Sequence, residues 1–577
     1  MFRVVLVKPS HYDDEGYVIR WMRSCIPSNT LGCLYASTDA IKTSGQLGAD
    51  VDIAIDVYDE TNQRIPVQKI IRQLTAPDVL GVIMMAGVQS NQYPRAVDLA
   101  REFRAGGLAV MIGGFHVSGC LSMLETIPKE MTEAMEMGIT LVAGEVEEKM
   151  GELLEDALHR RLKPLYNFLK DLPSLEGQPM PILPVETVSR VVGNMTTFDA
   201  GRGCPFECSF CTIINVQGRK SRWRSADDVE AVIRENHRRG LNCYFITDDD
   251  FARNRNWEAI LDRIILLRER DRIKISLLIQ VDTACHRLPR FIEKAFKAGC
   301  RKVFIGLENV NTDTLKETGK KQNNVEEYRA MLQAWRKVNA VTYAGYIIGF
   351  PNDTYESVMR DVEILKKELP LDLVEFFVLT PLPGSEDHQI LMKEGAWLDP
   401  DLNKYDTEHV CVKHSKMSEK EWVRTYHDAW KSFYTFEHIE TIFRRRLASG
   451  EARVGKMLGQ MIWFCGSMFV EGVHPLQAGI FRRKHPSERR STFPRENWLV
   501  FSWRRVREVT SVLAGMAGLC WKLYQISRKV DKDPASRKYQ DRAIEPVVGK
   551  KVQPLHLLPS VSFSSPAEME EVGKASH

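Results

Sequence analysis

Gly203-Cys204-Pro205-Phe206-Glu207-Cys208-Ser209-Phe210-Cys211 is the run that decides how the rest of the chain is read. Its cysteines are spaced C-x3-C-x2-C, and no fourth cysteine or histidine stands close by. The nearest downstream histidine is His237, on a stretch that reads as an amphipathic helix. Thiolates are the usual ligands of iron–sulfur clusters. Three so close together suit a [4Fe–4S] cluster with one iron left open to a small molecule. Structural zinc is the alternative, but it asks for four protein ligands in a closed tetrahedron. Cys204, Cys208 and Cys211 are therefore the candidate metal ligands.

Downstream of the triplet, short apolar runs alternate with helical patterns. Cys243–Thr247, Lys274–Val281, Arg301–Leu307, Thr342–Ile348 and Val374–Leu379 read as buried strands. Trp257–Arg268, Leu288–Lys297, Val325–Val338 and Tyr355–Leu369 read as helices between them. Ser225 with Asp228, and Asn324 with Glu327, predict capping boxes. Strand–helix units after a ligand loop fit a partial (β/α)6 barrel with its chemistry at the carboxyl strand ends. Alternation alone equally allows a second doubly wound domain. The strand ends carry Asp248-Asp249-Asp250-Phe251, then Glu308, then Gly345-Tyr-Ile-Ile-Gly349-Phe-Pro351, then Pro381-Leu-Pro-Gly384. Three carboxylates at the end of a buried strand are costly without partners. A metal site or a solvated turn accounts for the run equally, as a salt bridge does for Glu308.

Upstream, Arg3–Lys8, Val51–Val57, Val79–Met85, Leu108–Ile112 and Ile139–Ala143 read as buried strands rich in Val, Ile and Met. A helical apolar face runs along Tyr93–Arg104. This predicts an α/β, Rossmann-like domain with ligands at the carboxyl ends of its parallel strands. Two loops there are small or polar: Gly113-Gly114-Phe115-His116-Val117-Ser118 and Gly144-Glu145-Val146-Glu147.

The expected domains are 1–160, the Rossmann-like domain; 161–194, a proline-rich linker; 195–425, the barrel; 426–530, a basic helical region; and 531–577, a disordered tail. The chain has 577 residues, too many for one core. Its 79 basic and 76 acidic residues nearly cancel, which gives no overall mandate for nucleic acid. Residues 441–530 differ, with 17 Lys and Arg against 5 Asp and Glu, clustered at Arg444–Arg446, Arg482–Lys484 and Arg504–Arg507. Apolar helical stretches are interleaved with them, so phosphate binding, a membrane surface and a plain helical cap are all open readings. The start of the chain reads as a strand rather than a secretion signal. Scattered cysteines, 12 in all, fit a reducing cytoplasm.

The triplet, with the aromatic Phe210 just before its last cysteine, resembles the signature of the radical S-adenosylmethionine (SAM) superfamily. That resemblance implies that SAM chelates the open iron, and that the reduced cluster cleaves it to a 5′-deoxyadenosyl radical. It also implies that Asp249 or Asp250 contacts the amino group of SAM, that Glu308 faces its ribose or methionyl end, and that Gly349 lies on the adenine side. The N-terminal domain resembles the cobalamin (B12) domain of one large subclass, which places Gly113, Gly114, Ser118, Gly144 and Glu145 near the corrin. It departs from the methionine-synthase type, because the first strand leads into Lys8-Pro9-Ser10-His11 with no Asp-x-His-x-x-Gly. His116 is expected to be a loop histidine and not a cobalt ligand.

The implied activity is radical methylation, or another modification, of an unactivated carbon in a small molecule such as a lipid or tetrapyrrole. A flavodoxin or ferredoxin type of reductant would supply electrons, and the inner membrane face would offer a peripheral contact. Cyclisation or rearrangement without methyl transfer is one alternative. An RNA-modifying, methylthiotransferase-like protein is the other, although Cys25, Cys33 and Cys120 are too unevenly spaced for its second cluster. No catalytic residue is assigned.

Overall fold

The computed structural model describes residues 1–547. The chain forms two compact units. One comprises Met1–Gln280, Thr380–Asp406 and Gly479–Pro494; the other comprises Val281–Leu379, Thr407–Ala478 and the chain from Arg495 onward.

In the first unit the opening strands are β1 (Phe2–Lys8), β2 (Trp21–Ser24), β3 (Ile53–Asp59), β4 (Leu80–Met85), β5 (Ala109–Gly113), β6 (Thr140–Ala143) and β7 (Leu165–Asn167). All but β2 build one parallel sheet in the order β3-β1-β4-β5-β6-β7. Val5, Val7, Ile83 and Ile112 feed one core, while Val4, Leu6, Val82 and Met84 feed the other. Burial on both faces explains the near-continuous apolar runs of these strands. Strand order reverses at β1 and β4, where ligands of open α/β sheets bind.

The cysteine segment follows, with β8 (Met195–Phe198), β9 (Gly201–Arg202), β10 (Arg222–Trp223), β11 (Cys243–Ile246) and β12 (Ser276–Val281). β11 runs parallel between β8 and β12, and β9 pairs antiparallel with β10. Ser225 forms the expected capping box with Asp228 at the helix Ala226–Arg238. β2 pairs antiparallel with Gly479–Arg482. A Cβ on Gly479 would lie 2.2 Å from the Trp21 ring, so glycine lets the two strands close. Residues 479–494 are thus not part of a helical region, contrary to expectation. They complete the N-terminal unit, where buried Glu488 pairs with Arg20.

The second unit carries β13 (Cys300–Glu308), β14 (Val341–Ile348) and β15 (Leu373–Val378), parallel with β14 central. Each unit thus carries parallel strands of the strand–helix series expected of the barrel. Asn324 caps its segment, as expected, by accepting from Glu326 N–H (3.2 Å), but a 3-10 turn at Val325–Glu327 precedes the helix Tyr328–Lys337. The helices Glu419–Phe433, Phe436–Ala448, Gly455–Gly466 and Trp498–Lys532 follow.

Five of the six cations in two of the basic clusters are paired internally, Arg483 alone being exposed without an ion pair among the described residues. Arg444 pairs with Glu440 and Asp533, Arg445 with Asp541, and fully buried Arg446 with Asp372. Arg482 and Lys484 pair with Asp13. These groups are not available to phosphates. The tail expected to be disordered from 531 is ordered further on: Pro534–Lys538 and Arg542–Ile544 are 3-10 turns with Ser536 and Ala543 fully buried. Residues 548–577 of that expectation lie outside the described residues. Among the described residues, no helix is long and apolar enough to cross a membrane.

Candidate functional site

The approach to the cysteine loop is pinned by a carboxylate. Asp248, just after β11, accepts backbone N–H bonds from Ala200 (2.7 Å) and Gly201 (2.9 Å) on one oxygen and from Asn254 Nδ2 (2.8 Å) on the other. Gly203 then turns at φ +86°, where a Cβ would lie 2.5 Å from the Lys220 carbonyl. Only glycine suits both the conformation and the approach. Inside the loop, Cys204 N–H donates to the Gly218 carbonyl (3.2 Å) and Cys211 N–H to the Cys208 carbonyl (3.1 Å). Asp387 N–H donates to the Ser209 carbonyl (3.2 Å). The backbone fixes the loop without help from a ligand.

Burial pushes the Cys204 and Cys211 thiols up to about 12, with the charges of Asp250 and Asp249 respectively acting in the same direction. Buried thiols of this kind give up their protons when a cation replaces them. Three cysteines on a prefixed loop therefore fit an iron–sulfur cluster with a free corner. Phe210, between two of them, is half-buried. Burial lifts both Asp248 and Asp249 to about 7. Three N–H donors favour the charged form of Asp248, and the charge of Asp248 in turn raises Asp249. The structure thus brings the cysteines, Asp249 and Asp250 into one buried neighbourhood.

Arg202, one residue before Gly203, links this loop to the N-terminal sheet. Its guanidinium reaches Glu145 (2.7 Å), Glu147 (2.5 Å) and Asp199 (3.0 Å), and donates to Cys33 Sγ (3.4 Å). Arg222 takes both oxygens of Glu145, and Arg224 pairs with Asp199 (3.3 Å). Three acids and three arginines balance. Burial works against the Asp199 charge, yet Arg202 and Arg224 hold its carboxyl down at about 2. Glu145, expected beside a corrin, spends its carboxylate on this network. The signal lay in the basic residues flanking the cysteine run, Arg202 before it and Arg222-Trp223-Arg224 after it.

The other expected corrin contacts are held by the fold's own backbone. A Cβ on Gly114 would sit 2.1 Å from Val88 N, and one on Gly144 2.6 Å from Phe168 C. One on Gly113 would lie 3.2 Å from the Val142 carbonyl. Ser118 Oγ accepts from Gly144 N–H (3.0 Å), tying the loops after β5 and β6 together. These contacts place small residues at the carboxyl edge of the sheet. His116 is not in a loop. It lies in the first turn of the helix Phe115–Met123, buried with its ring 4.3 Å from that of Tyr93, and is not offered to a corrin.

In the second unit a bulge at Gly306/Glu308 ends the pairing of β13 with β14, and Glu308 takes φ +65°. Left-handed backbone at a non-glycine strand end is strained and concentrates at functional sites. Its carboxylate accepts from Lys320 Nζ (2.6 Å). Gly349 has φ +113°, and the space of its missing Cβ is taken by the Trp422 ring, 1.8 Å away. Trp422 Nε1 donates to the Ile348 carbonyl (3.1 Å), and Asp353 accepts from Gly349 N–H (2.8 Å). Glycine at 349 therefore serves this unit's own packing.

Sequence reasoning missed Glu375 on β15. It is buried beside Gly345 in register, and its Oε2 makes no hydrogen bond. Burial alone pushes its carboxyl up to about 8. Phe304 and Phe377 approach the Cβ position of Gly345 on the same face. One neutral acid among aromatic rings leaves no signal in a strand read only for apolar runs.

Residues 199–365 match the Radical SAM superfamily. The chain is 27% identical over 354 residues to bacteriochlorophyllide d C-8(2)-methyltransferase of Chlorobaculum tepidum, covering 57% of this chain and 73% of that protein. It is 22% identical over 360 residues to hopanoid C-2 methylase of Rhodopseudomonas palustris, covering 60% and 64% respectively. In fold it is similar to the radical S-adenosylmethionine methyltransferase TsrM of Kitasatospora setae, a structure with cobalamin and a [4Fe–4S] cluster bound. The TM-score is 0.54 at 16% identity, over 75% of this chain and 88% of that one. With the cysteine triplet on a prefixed loop inside the matched segment, the chain carries a radical SAM domain and is an enzyme.

Proposed function

We propose that the enzyme methylates an unactivated carbon of an apolar small molecule, a lipid or a tetrapyrrole, in the cytoplasm at the inner face of a membrane. The cofactors are a [4Fe–4S] cluster, SAM and cobalamin, with an external reductant of the flavodoxin or ferredoxin type. When bound, they supply reductive cleavage of SAM, hydrogen abstraction and a transferable methyl group. The chain supplies the positions. Cys204, Cys208 and Cys211 hold the cluster, Asp248 fixes the loop that carries them, and Asp249 and Asp250 offer carboxyl oxygens to the amino group of SAM. The loops at Gly113–Gly114 and Gly144 offer backbone to the corrin. Phe304, Ile347 and Phe377 offer an apolar wall on one face of β13–β15, beside the neutral acid of Glu375.

The observation that carries this reading is the Arg202 network. One buried guanidinium joins the cluster loop to the carboxyl edge of the N-terminal sheet, an arrangement suited to two cofactors used in sequence. The methyltransferase relatives support the reaction type. Anaerobic enzyme given methyl-labelled SAM, a strong reductant and lipid or pigment extracts should form 5′-deoxyadenosine and a labelled product one methylene heavier. The combined Cys204→Ala, Cys208→Ala and Cys211→Ala variant should lose iron and both products. Altered but unlabelled product would redirect the reading to cyclisation or rearrangement. An iron-loaded enzyme that yields no 5′-deoxyadenosine would overturn it.

A further inference from the structure

The helix Trp498–Lys532 buries one side against its own unit and leaves an apolar stripe uncovered on the other. Phe501, Gly515, Leu519, Leu523, Ser527 and Val530 face inward. Val470 lies 3.0 Å from the Cβ position of Gly515, and Met516 lies 2.9 Å from that of Gly466. The outward side of such a helix is ordinarily polar. Here Leu499 is 68% exposed, Trp503 67%, Val506 65%, Leu513 56%, Trp521 62% and Tyr524 46%. Their spacing, with exposed Thr510 and Ala517 between, steps by three or four residues and draws a single line about 38 Å long. Exposed apolar patches of this extent mark interaction surfaces.

Three features select the occupant. Arg507 and Arg528 are exposed beside the stripe, with Arg507 5.9 Å over the Trp503 ring. Glu508, nearest of the acids, is paired with Arg505 at 2.9 Å. Tryptophan and tyrosine mixed with arginine and lysine are the residues that settle at the boundary of headgroups and acyl chains. An RNA would use the cations but leave Leu499, Val506 and Leu513 in water. A second copy would cover the apolar line but bring like charges together.

We infer that the Trp498–Lys532 helix lies flat in the surface of an anionic bilayer, with Trp503, Val506, Leu513, Trp521 and Tyr524 in the acyl boundary and Arg507 and Arg528 on acidic headgroups. This deepens the reading of an apolar substrate and rests on it only for purpose: it names the surface from which a lipid-soluble molecule is collected.

The test floats anaerobically prepared, iron-loaded full chain with phosphatidylglycerol vesicles and with phosphatidylcholine vesicles. Flotation should favour the anionic vesicles and fall with salt. Arg507→Gln and Arg528→Gln should each weaken it about fivefold. Trp503→Ala with Trp521→Ala, and separately Leu513→Glu, should weaken it about tenfold or more. Every variant should keep its iron and its 5′-deoxyadenosine formation, which also shows that it folds. Failure of the unaltered chain to float overturns the inference. So does a dimer that becomes a monomer in the tryptophan variant, or tRNA retention lost with that variant. Flotation without SAM cleavage would support the bilayer surface and count against the catalytic reading instead.

Discussion

Buried carboxylates meet two different fates in the two units. Around Arg202, Asp199, Glu145 and Glu147 are matched by three arginines, and the Asp199 carboxyl is held at about 2. On β15, Glu375 is as deeply buried with no cation against it among the described residues, and its carboxyl rises to about 8. Depth is the same, so compensation makes the difference. The compensated set costs desolvation but fixes geometry; the uncompensated acid stays neutral and keeps a proton to donate. A structural strap and a neutral buried acid are thus told apart by counting arginines, not by exposure.

The largest test removes the compensation. Arg202→Leu leaves Asp199, Glu145 and Glu147 with two arginines among them, and breaking a buried pair in this way costs about 3–5 kcal/mol. Denaturant unfolding of the cluster-free chain should show that loss, and iron loading should fall with it. Arg202→Lys keeps the charge without the forked geometry, so its cost should be smaller. An unchanged unfolding midpoint in Arg202→Leu would mean that the network carries no strain-bearing role.

The second test is a pH dependence. Glu375 holds its proton in the folded chain up to about pH 8, while the unfolded chain releases it near 4.5. Between those values the unfolded state binds fewer protons, so stability falls as pH rises through the window. The loss is on the order of a few kcal/mol, and Glu375→Gln should flatten it. Asp199 works in the opposite direction. Its lowered carboxyl adds stability above the ordinary 3.8 that is lost as pH falls through about 2. Unfolding midpoints of the Glu375→Gln variant that still decline from acid to mildly alkaline pH would refute the assignment to this residue.

Much of this was legible because it is periodic or local. The strands of the N-terminal sheet are continuous apolar runs since both faces are covered, and the cysteine triplet declares itself by spacing. What stayed hidden depends on contacts distant in sequence. Nothing near residue 479 announces a strand; it forms because Trp21 and Gly479 fit together. Arg444–Arg446 and Arg482–Lys484 read as a basic surface because their acidic partners, Asp372, Asp541 and Asp13, lie far along the chain. Motif position places Gly349 and Glu145 near ligands but does not disclose their immediate neighbours, Trp422 and two arginines.

Asp228 sets the small end of the scale. It is half-buried, and its Oδ2 accepts from Ser225 N–H (2.9 Å) and Gly177 N–H (3.2 Å). Water reaches it, so no cation is needed to keep it in place. Asp228→Ala should cost about 1 kcal/mol by opening the capping box of the helix Ala226–Arg238. Asp228→Asn retains an accepting oxygen and should cost only a few tenths of that. Thermal unfolding of the cluster-free variants reads both. If Asp228→Ala were as damaging as Arg202→Leu, solvent access would not be what separates these carboxylates, and the contrast between strap and neutral acid would have to rest on hydrogen-bond count instead.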